Sequence, residues 1–208
     1  MRYTGPKKKL CRREGKNLFG SEKYSLEGSK RKLLGKNVGR MGLYGQQLRA
    51  KQSAKRMFGV SEKQFANYFK KASRMKGNTL ENMQRLLETR LDVAILRANF
   101  ARTIMQARQF VSHAHFIVNG KKVDIPSYQI SVGDIIEVRE KLKDTPLYRT
   151  LQVESEEFLK NNKAGKVSGV DWIDADPKSF KITITRLPET PDYDQSIDMK
   201  KIIEFYSK

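Results

Sequence analysis

A chain of 208 residues with 42 Lys and Arg against 23 Asp and Glu has a formal charge of +19, which points to a polyanionic partner. The excess is local, because residues 1–76 hold 22 of the basic side chains and only 4 of the acidic ones. No apolar run approaches the roughly 20 residues of a membrane span, no secretory core or organellar presequence is legible, and one cysteine excludes an internal disulfide, so a cytoplasmic chain is expected.

In chain order, residues 1–42 are a basic arm. Its apolar residues are few and follow no period, which predicts an extended chain that orders on a partner. Tyr3, Leu10, Leu18 and Phe19 are local anchors. Lys7, Lys8, Lys9, Arg12, Arg13 and Lys16 are candidate phosphate contacts, each a charge-assisted bond that releases counterions; Tyr3 and Arg40 complete the arm's candidate set.

From Tyr44 a helix is predicted, with a thin apolar side made by Leu48, the stems of Lys51 and Lys55, and Met57-Phe58. Gly59 ends it, and Gln46, Arg49, Lys55 and Arg56 are its candidate nucleic-acid donors. Ser61 followed by Gln64 is a capping box. It opens a stronger helix in which Phe65, Tyr68, Phe69, Ala72 and Met75 recur at helical spacing, a core stripe and not a base-stacking platform. Lys63, Lys70, Lys71 and Arg74 ride outside, with Lys70 and Arg74 as candidate nucleic-acid contacts. Gly77-Asn78 punctuates, and Thr79 begins a helix whose apolar side runs through Leu80, Met83, Leu86, Leu87 and Leu91.

Residues 91–140 read as one module. Leu91 to Ala98 is a short helix, and Thr103 with Gln106 is a capping box for a second. On that helix Ile104, Ala107, Phe110, Val111 and Ala114 share one arc, while Gln106, Arg108, Gln109, Ser112 and His113 fill the other. Phe116 to Val118 is a strand, Asn119-Gly120 a tight turn, and Lys121 to Val123 the return. After Pro126, Ser131-Val132-Gly133-Asp134 is a second turn and Ile135 to Arg139 the closing strand. Arg102, Thr103, Gln106, Arg108, Gln109, Ser112, His113, His115, Asn119, Lys121 and Lys122 are the module's candidate nucleic-acid contacts, a set of donors suited to a phosphate backbone.

Beyond the module, Lys141 to Thr150 reads as a connection, Val153 to Asn162 as a short helix, and the segment to Gly169 as a Lys/Gly-rich loop. Val170 to Ile173 and Phe180 to Ile184 read as strands separated by Pro177, with Trp172 in the core. Asp174, Asp176, Asp192 and Asp194 are expected to be solvated carboxylates in Pro-bearing turns. A terminal helix covers about 197–206. The glycines of GRMGLYG follow no strand, and neither a Walker sequence nor HExxH is present, so no catalytic pattern flanks the module.

Several spaced motifs resemble the bacterial small-subunit ribosomal protein S-four family: A-R-Q-x-V, H-x-H-x-x-V-N-G, V-x-x-P-S-Y and V-G-D-x-I-E-V in the module. Y-x-G-P-K and R-R-E-G in the arm, YG-x-Q-L-R-x-K-Q and GN-T-x-E-N-x-x-x-L-L-E-x-R-L-D in the helices, and I-x-E-F-Y-S-K near the end extend the likeness over 1–19 and 43–208. Some members carry four arm cysteines that bind zinc. Here Cys11 stands alone, with Lys8 at its spaced partner's place, so thiolate zinc coordination is excluded and no cofactor is expected. Members usually place Gly where Ala114 stands; a left-handed backbone there would cost Ala roughly 1 kcal/mol.

The expected architecture is α+β. A basic extended arm (1–42) precedes a helical domain (43–90), to which the terminal helix returns, and an S-four-type RNA-binding domain (91–190) with two short helices and a small antiparallel sheet. The resemblance implies a non-enzymatic component of the small ribosomal subunit that binds its RNA at a multi-helix junction early in assembly and affects decoding accuracy. It also implies contacts with ribosomal protein S-five and with messenger RNA at the entry channel. The competing readings are an RNA-modifying enzyme and a non-ribosomal RNA binder built on the same module.

Overall fold

The computed structural model describes residues 3, 5–19, 22–26, 41–161 and 170–207; Arg40 and the loop of 162–169 lie outside them. In chain order the regular elements are α1 (Lys7–Glu14), α2 (Leu43–Met57), α3 (Glu62–Arg74), α4 (Thr79–Glu88), α5 (Leu91–Arg97), α6 (Ile104–Ser112), β1 (Phe116–Val118), β2 (Lys121–Lys122), β3 (Ile135–Val138), α7 (Glu140–Lys143), α8 (Pro146–Asn161), β4 (Ile173–Asp176), β5 (Lys181–Ile184) and α9 (Met199–Tyr206). They fall into two compact units, Met1–Gln84 with Asp194–Lys208, and Arg85–Tyr193.

The first unit is helical. α3 starts with a complete capping box, in which Gln64 N donates to Ser61 Oγ at 3.3 Å and Ser61 N donates to Gln64 Oε1 at 3.1 Å. The buried stripe of α2 is Gln47, Lys51, Ala54 and the following Phe58, whereas Leu48 is only partly buried. This corrects the apolar side expected around Leu48. The reason lies in the neighbour: Gln47 Nε2 donates to Glu204 Oε2 of α9 at 3.0 Å, and the Lys51 ammonium lies 4.3 Å from the Phe205 ring centroid. A polar-to-aromatic interface therefore occupies the place that a hydropathy pattern reserves for leucines. The α3 stripe behaves as packing surface, with Phe65 buried and Phe69 stacked on Tyr206 at 5.0 Å.

The described part of the arm is not extended. Lys7–Glu14 is helical, and Gly15, at φ 72°, closes it in the left-handed conformation that glycine adopts without strain. Leu10, Cys11, Leu18 and Phe19 are buried together, with Tyr24, Leu26 and Met57 against them. Two buried residues in an eight-residue helix are too few to register as a period, which is why the pattern was silent here.

The second unit is built on a five-stranded antiparallel sheet in the order β2-β1-β3-β5-β4. Phe116, Val118, Ile136, Val138, Ile182 and Ile184 point to the core, which includes Trp172 and the buried faces of α5 and α6. β1 and β2 join through Asn119 and Gly120 at φ 50° and 76°, the backbone that a two-residue hairpin requires. Val123 lies outside the ladder's last pair, Ile117 with Lys122, although its N–H still reaches Phe116 O at 3.4 Å.

Three expectations shift here. α8 begins at Pro146, so most of the predicted connection 141–150 is the helix α7 and the first turn of α8. Proline suits a first helical turn, whose N–H groups lack intrahelical partners, and Arg149 N donates to Thr145 O at 3.1 Å. β4 runs Ile173–Asp176, so Val170 to Trp172 precede the strand, and Asp174 and Asp176 belong to it and not to a turn. Asp176 closes the strand by accepting from Lys178 N at 3.0 Å and Ser179 Oγ at 2.6 Å.

Ala114, between α6 and β1, has φ 54° and is buried. Ala114→Gly is therefore expected to stabilise the second unit by up to about 0.5 kcal/mol, the left-handed penalty less glycine's extra unfolded-state entropy. A rise in the urea midpoint followed by Trp172 fluorescence checks it; a fall would show that the Cβ packing outweighs the strain.

Candidate nucleic-acid interface

The candidate donors divide into those held by the fold and those left to solvent. In the first unit, Glu14 is almost wholly buried and its Oε1 accepts from Arg49 Nη1 at 3.2 Å and Arg56 Nη1 at 2.6 Å. Glu62 accepts from Lys51 at 2.6 Å, Lys55 at 3.0 Å and the Tyr206 hydroxyl at 2.9 Å. Burial raises the Glu62 pKa, but these donors outweigh it and hold the carboxyl at about 2. Gln46 Nε2 donates to Met41 O at 3.1 Å. The α2 candidates Gln46, Arg49, Lys55 and Arg56 are thus engaged internally.

In the arm, Lys7 lies over Phe19 and Tyr24, 5.4 and 5.8 Å from the ring centroids. Lys16 donates to Ser196 O at 2.6 Å; burial pulls its pKa below the ordinary lysine value, against the raising fields of Asp194 and Glu14. Lys8, Arg12 and Arg13 are partly exposed, Lys9 and Tyr3 exposed. On α3, Lys63, Asn67, Lys70, Lys71 and Arg74 are all exposed at spacings of three, four and one, a cationic stripe with no acidic partner among the described residues. Lys63 and Lys71 belong with Lys70 and Arg74 on this face, and the aromatic stripe opposite them carried that signal.

In the second unit, Asp92 is fully buried and accepts from Arg90 Nε at 2.9 Å and Nη2 at 2.7 Å, and from Arg108 Nε at 3.0 Å and Nη2 at 2.6 Å. Arg108 is therefore half of a bridge between α5 and α6 before it is anything else. Thr103 Oγ1 accepts from Gln106 N at 3.2 Å, but Gln106 Oε1 accepts from Arg102 N at 2.8 Å, so the reciprocal half of the expected box has moved one residue toward the amino terminus. Arg102 forks onto Glu154 of α8.

His115 stacks on Phe110 with centroids 5.1 Å apart, and its Nδ1 is 3.0 Å from the Tyr148 hydroxyl. Burial, with the fields of His113 and Arg139, pushes its pKa below the usual imidazole value. Burial pushes the Tyr148 phenol up. Asn119 Nδ2 donates to Asp134 Oδ1 at 2.7 Å and its Oδ1 accepts from Ile135 N at 2.9 Å, tying the hairpin to the second turn. His115 and Asn119 are thus framework. Gln109, Ser112 and His113 on the outer side of α6, with Lys121 and Lys122 on the edge strand β2, remain exposed and without a side-chain acceptor among the described residues.

Asp174, Asp176, Asp192 and Asp194 form no metal-holding group. Asp192 accepts from Arg186 Nη1 at 2.6 Å, Asp194 from Ser196 N at 2.8 Å, and no group of three or more His, Cys, Asp or Glu among the described residues could hold a metal ion. None of the helices described is long and apolar enough to cross a membrane.

Two short helices feeding a hairpin and a closing strand, with the donors on the outer helix face and hairpin edge, are those of an S4-domain protein, and residues 89–136 match the S4 domain model. Residues 2–88 match the ribosomal protein S4/S9 N-terminal domain. The small ribosomal subunit protein uS4 of Heliobacterium modesticaldum is 40% identical over 215 residues, covering 100% of this chain and 99% of the relative. That of Hahella chejuensis is 42% identical over 213 residues, with the same coverage. The chain belongs to the small ribosomal subunit protein uS4 family.

Proposed function

We propose that the chain is a structural component of the small ribosomal subunit that binds its ribosomal RNA by backbone and shape readout. What carries the reading is the division of donors: Glu14, Glu62 and Asp92 hold Arg49, Arg56, Lys51, Lys55, Arg90 and Arg108, whereas Lys8, Lys9, Arg12 and Arg13 of α1, the stripe of α3, and Gln109, Ser112, His113, Lys121 and Lys122 remain available for phosphates and ribose hydroxyls. The cation-rich first unit supplies most of the long-range attraction, and the second unit fixes orientation. The family further implies placement at a multi-helix junction, contacts with ribosomal protein S-five and with messenger RNA, and an influence on accuracy; these belong to the same proposal.

In sucrose gradients the chain is expected to co-sediment with small subunits at high salt. Recovery only in free-protein fractions would reject the ribosomal reading. Lys121→Ala with Lys122→Ala is expected to weaken binding to small-subunit RNA by about 5–30-fold and to lower the salt slope by about 2, one for each lost phosphate contact, without altering Trp172 fluorescence. An unchanged affinity and slope would remove the edge strand from the interface.

A further inference from the structure

The ion pairs of the second unit differ in one respect that bears on binding. Asp92 is buried, so its grip on Arg90 and Arg108 is structural. Arg102 and Glu154 are in open water, with side chains 57% and 43% exposed. Arg102 stands just before the first turn of α6, the helix that presents Gln109, Ser112 and His113, and its backbone N–H is fixed by Gln106 Oε1. Its guanidinium directs Nε to Glu154 Oε2 at 2.8 Å and Nη2 to the other oxygen of the same carboxylate. A forked carboxylate occupies the two donors with which a guanidinium grips a phosphate. The contact raises the Arg102 pKa, chiefly through the hydrogen bonds that the guanidinium donates to the carboxylate, as expected for a cation already supplied with its counter-charge.

We propose that Glu154 is an internal competitor for the phosphate that Arg102 would otherwise bind, and that it thereby sets the affinity of the second unit for RNA. This rests on the RNA-binding reading above. An exposed pair is weak enough to be displaced, unlike the buried one, so Arg102 is screened and not consumed. While Glu154 holds it, the pair is close to neutral, and a backbone phosphate approaching the start of α6 meets little net attraction. Neighbouring Glu156 and Glu157 on α8 add to the local negative field, although Glu156 accepts from Gln152 Nε2 at 3.3 Å.

The test is a double-mutant cycle on the full chain, with a short duplex RNA of mixed sequence as probe and both affinity and its salt dependence as readouts. Glu154→Gln is expected to tighten binding about 1.5- to 5-fold, the strength of an exposed pair, and to steepen the salt slope by about one phosphate. Arg102→Ala should erase that gain, so that Arg102→Ala and Arg102→Ala/Glu154→Gln bind alike. No change on Glu154→Gln, a loss of affinity, or an equal gain in the Arg102→Ala background would each overturn the proposal, the last by showing that Glu154 repels phosphate on its own. If the parent chain does not bind the duplex at all, the RNA-binding reading fails first. If the parent chain binds with a steep salt dependence and the cycle is flat, only the screening role falls.

Discussion

Asp92→Ala is expected to lower the stability of the second unit by about 3–5 kcal/mol, the cost of leaving a buried charge without its partner. The carboxylate is wholly buried and accepts four charge-assisted hydrogen bonds from two guanidiniums, one of which, Arg90, is 2% exposed. Removing it takes from the buried Arg90 the carboxylate that its Nε and Nη2 grip, and with it the ionic bridge from α5 to Arg108 of α6. Asp92→Asn keeps the shape and some acceptor capacity but not the charge, and should cost less. Arg108→Ala leaves the Arg90–Asp92 pair intact and exposes a site that water already reaches, so it should cost least, about 1–2 kcal/mol. The single tryptophan, Trp172, is buried in this unit and reports its unfolding. With a urea slope of about 1.5 kcal/mol/M, Asp92→Ala should lower the midpoint by roughly 2–3 M. Equal effects of Asp92→Ala and Arg108→Ala would refute the ordering and place the energy in the Arg108 arm of the bridge.

That ordering shows where sequence reasoning reached its limit. The amphipathic arc of α6 was legible, because Ile104, Ala107, Phe110 and Val111 are buried at helical spacing. So was the hairpin, because Asn119-Gly120 supplies both positive-φ residues, and so were β3 and β5, whose alternating burial follows from a half-buried antiparallel sheet. Polar residues on the outer arc were equally legible as polar, but not as free. Whether Arg108 faces phosphate or Asp92 depends on a carboxylate sixteen residues away on another helix, and a projection of one helix carries no information about its neighbour.

Glu14, Glu62 and Glu154 follow the same logic. Each acid was counted in the charge balance, yet each one's function is set by which cations the tertiary fold brings to it. In a segment where basic residues outnumber acidic ones more than five to one, the described carboxylates Glu14 and Glu62 each bridge two cations. The boundary errors have a local cause instead. Pro146 reads in the sequence as part of a connection, yet a proline in the first helical turn loses no hydrogen bond, and α8 starts there.

The same bookkeeping of charge yields the second large effect. Glu14→Ala is expected to release α1 from the first unit and to cost about 1–3 kcal/mol locally, since Arg49 and Arg56 lose their shared acceptor but are only partly desolvated. α1 buries only Leu10 and Cys11, and the apolar cluster it joins is completed by Leu18 and Phe19, too little to hold a helix dense in Lys and Arg against the neighbouring cations of α2. Glu14 is the one acid in α1, its side chain is nearly excluded from water, and its two partners, Arg49 and Arg56, stand about two turns apart on one face of α2. Limited trypsin digestion reads the result directly, because the arm offers cleavage sites from Lys7 to Lys16. In the parent chain these should be protected relative to the exposed lysines of α3; in Glu14→Ala they should be cut first, with the second unit's Trp172 signal unchanged. RNA affinity should fall together with that protection, because loosened cations must be ordered again on binding. Glu14→Gln, which keeps an acceptor without the charge, should lie between. If the arm stays protected in Glu14→Ala, the apolar cluster alone holds α1, and the buried carboxylate serves only to neutralise Arg49 and Arg56.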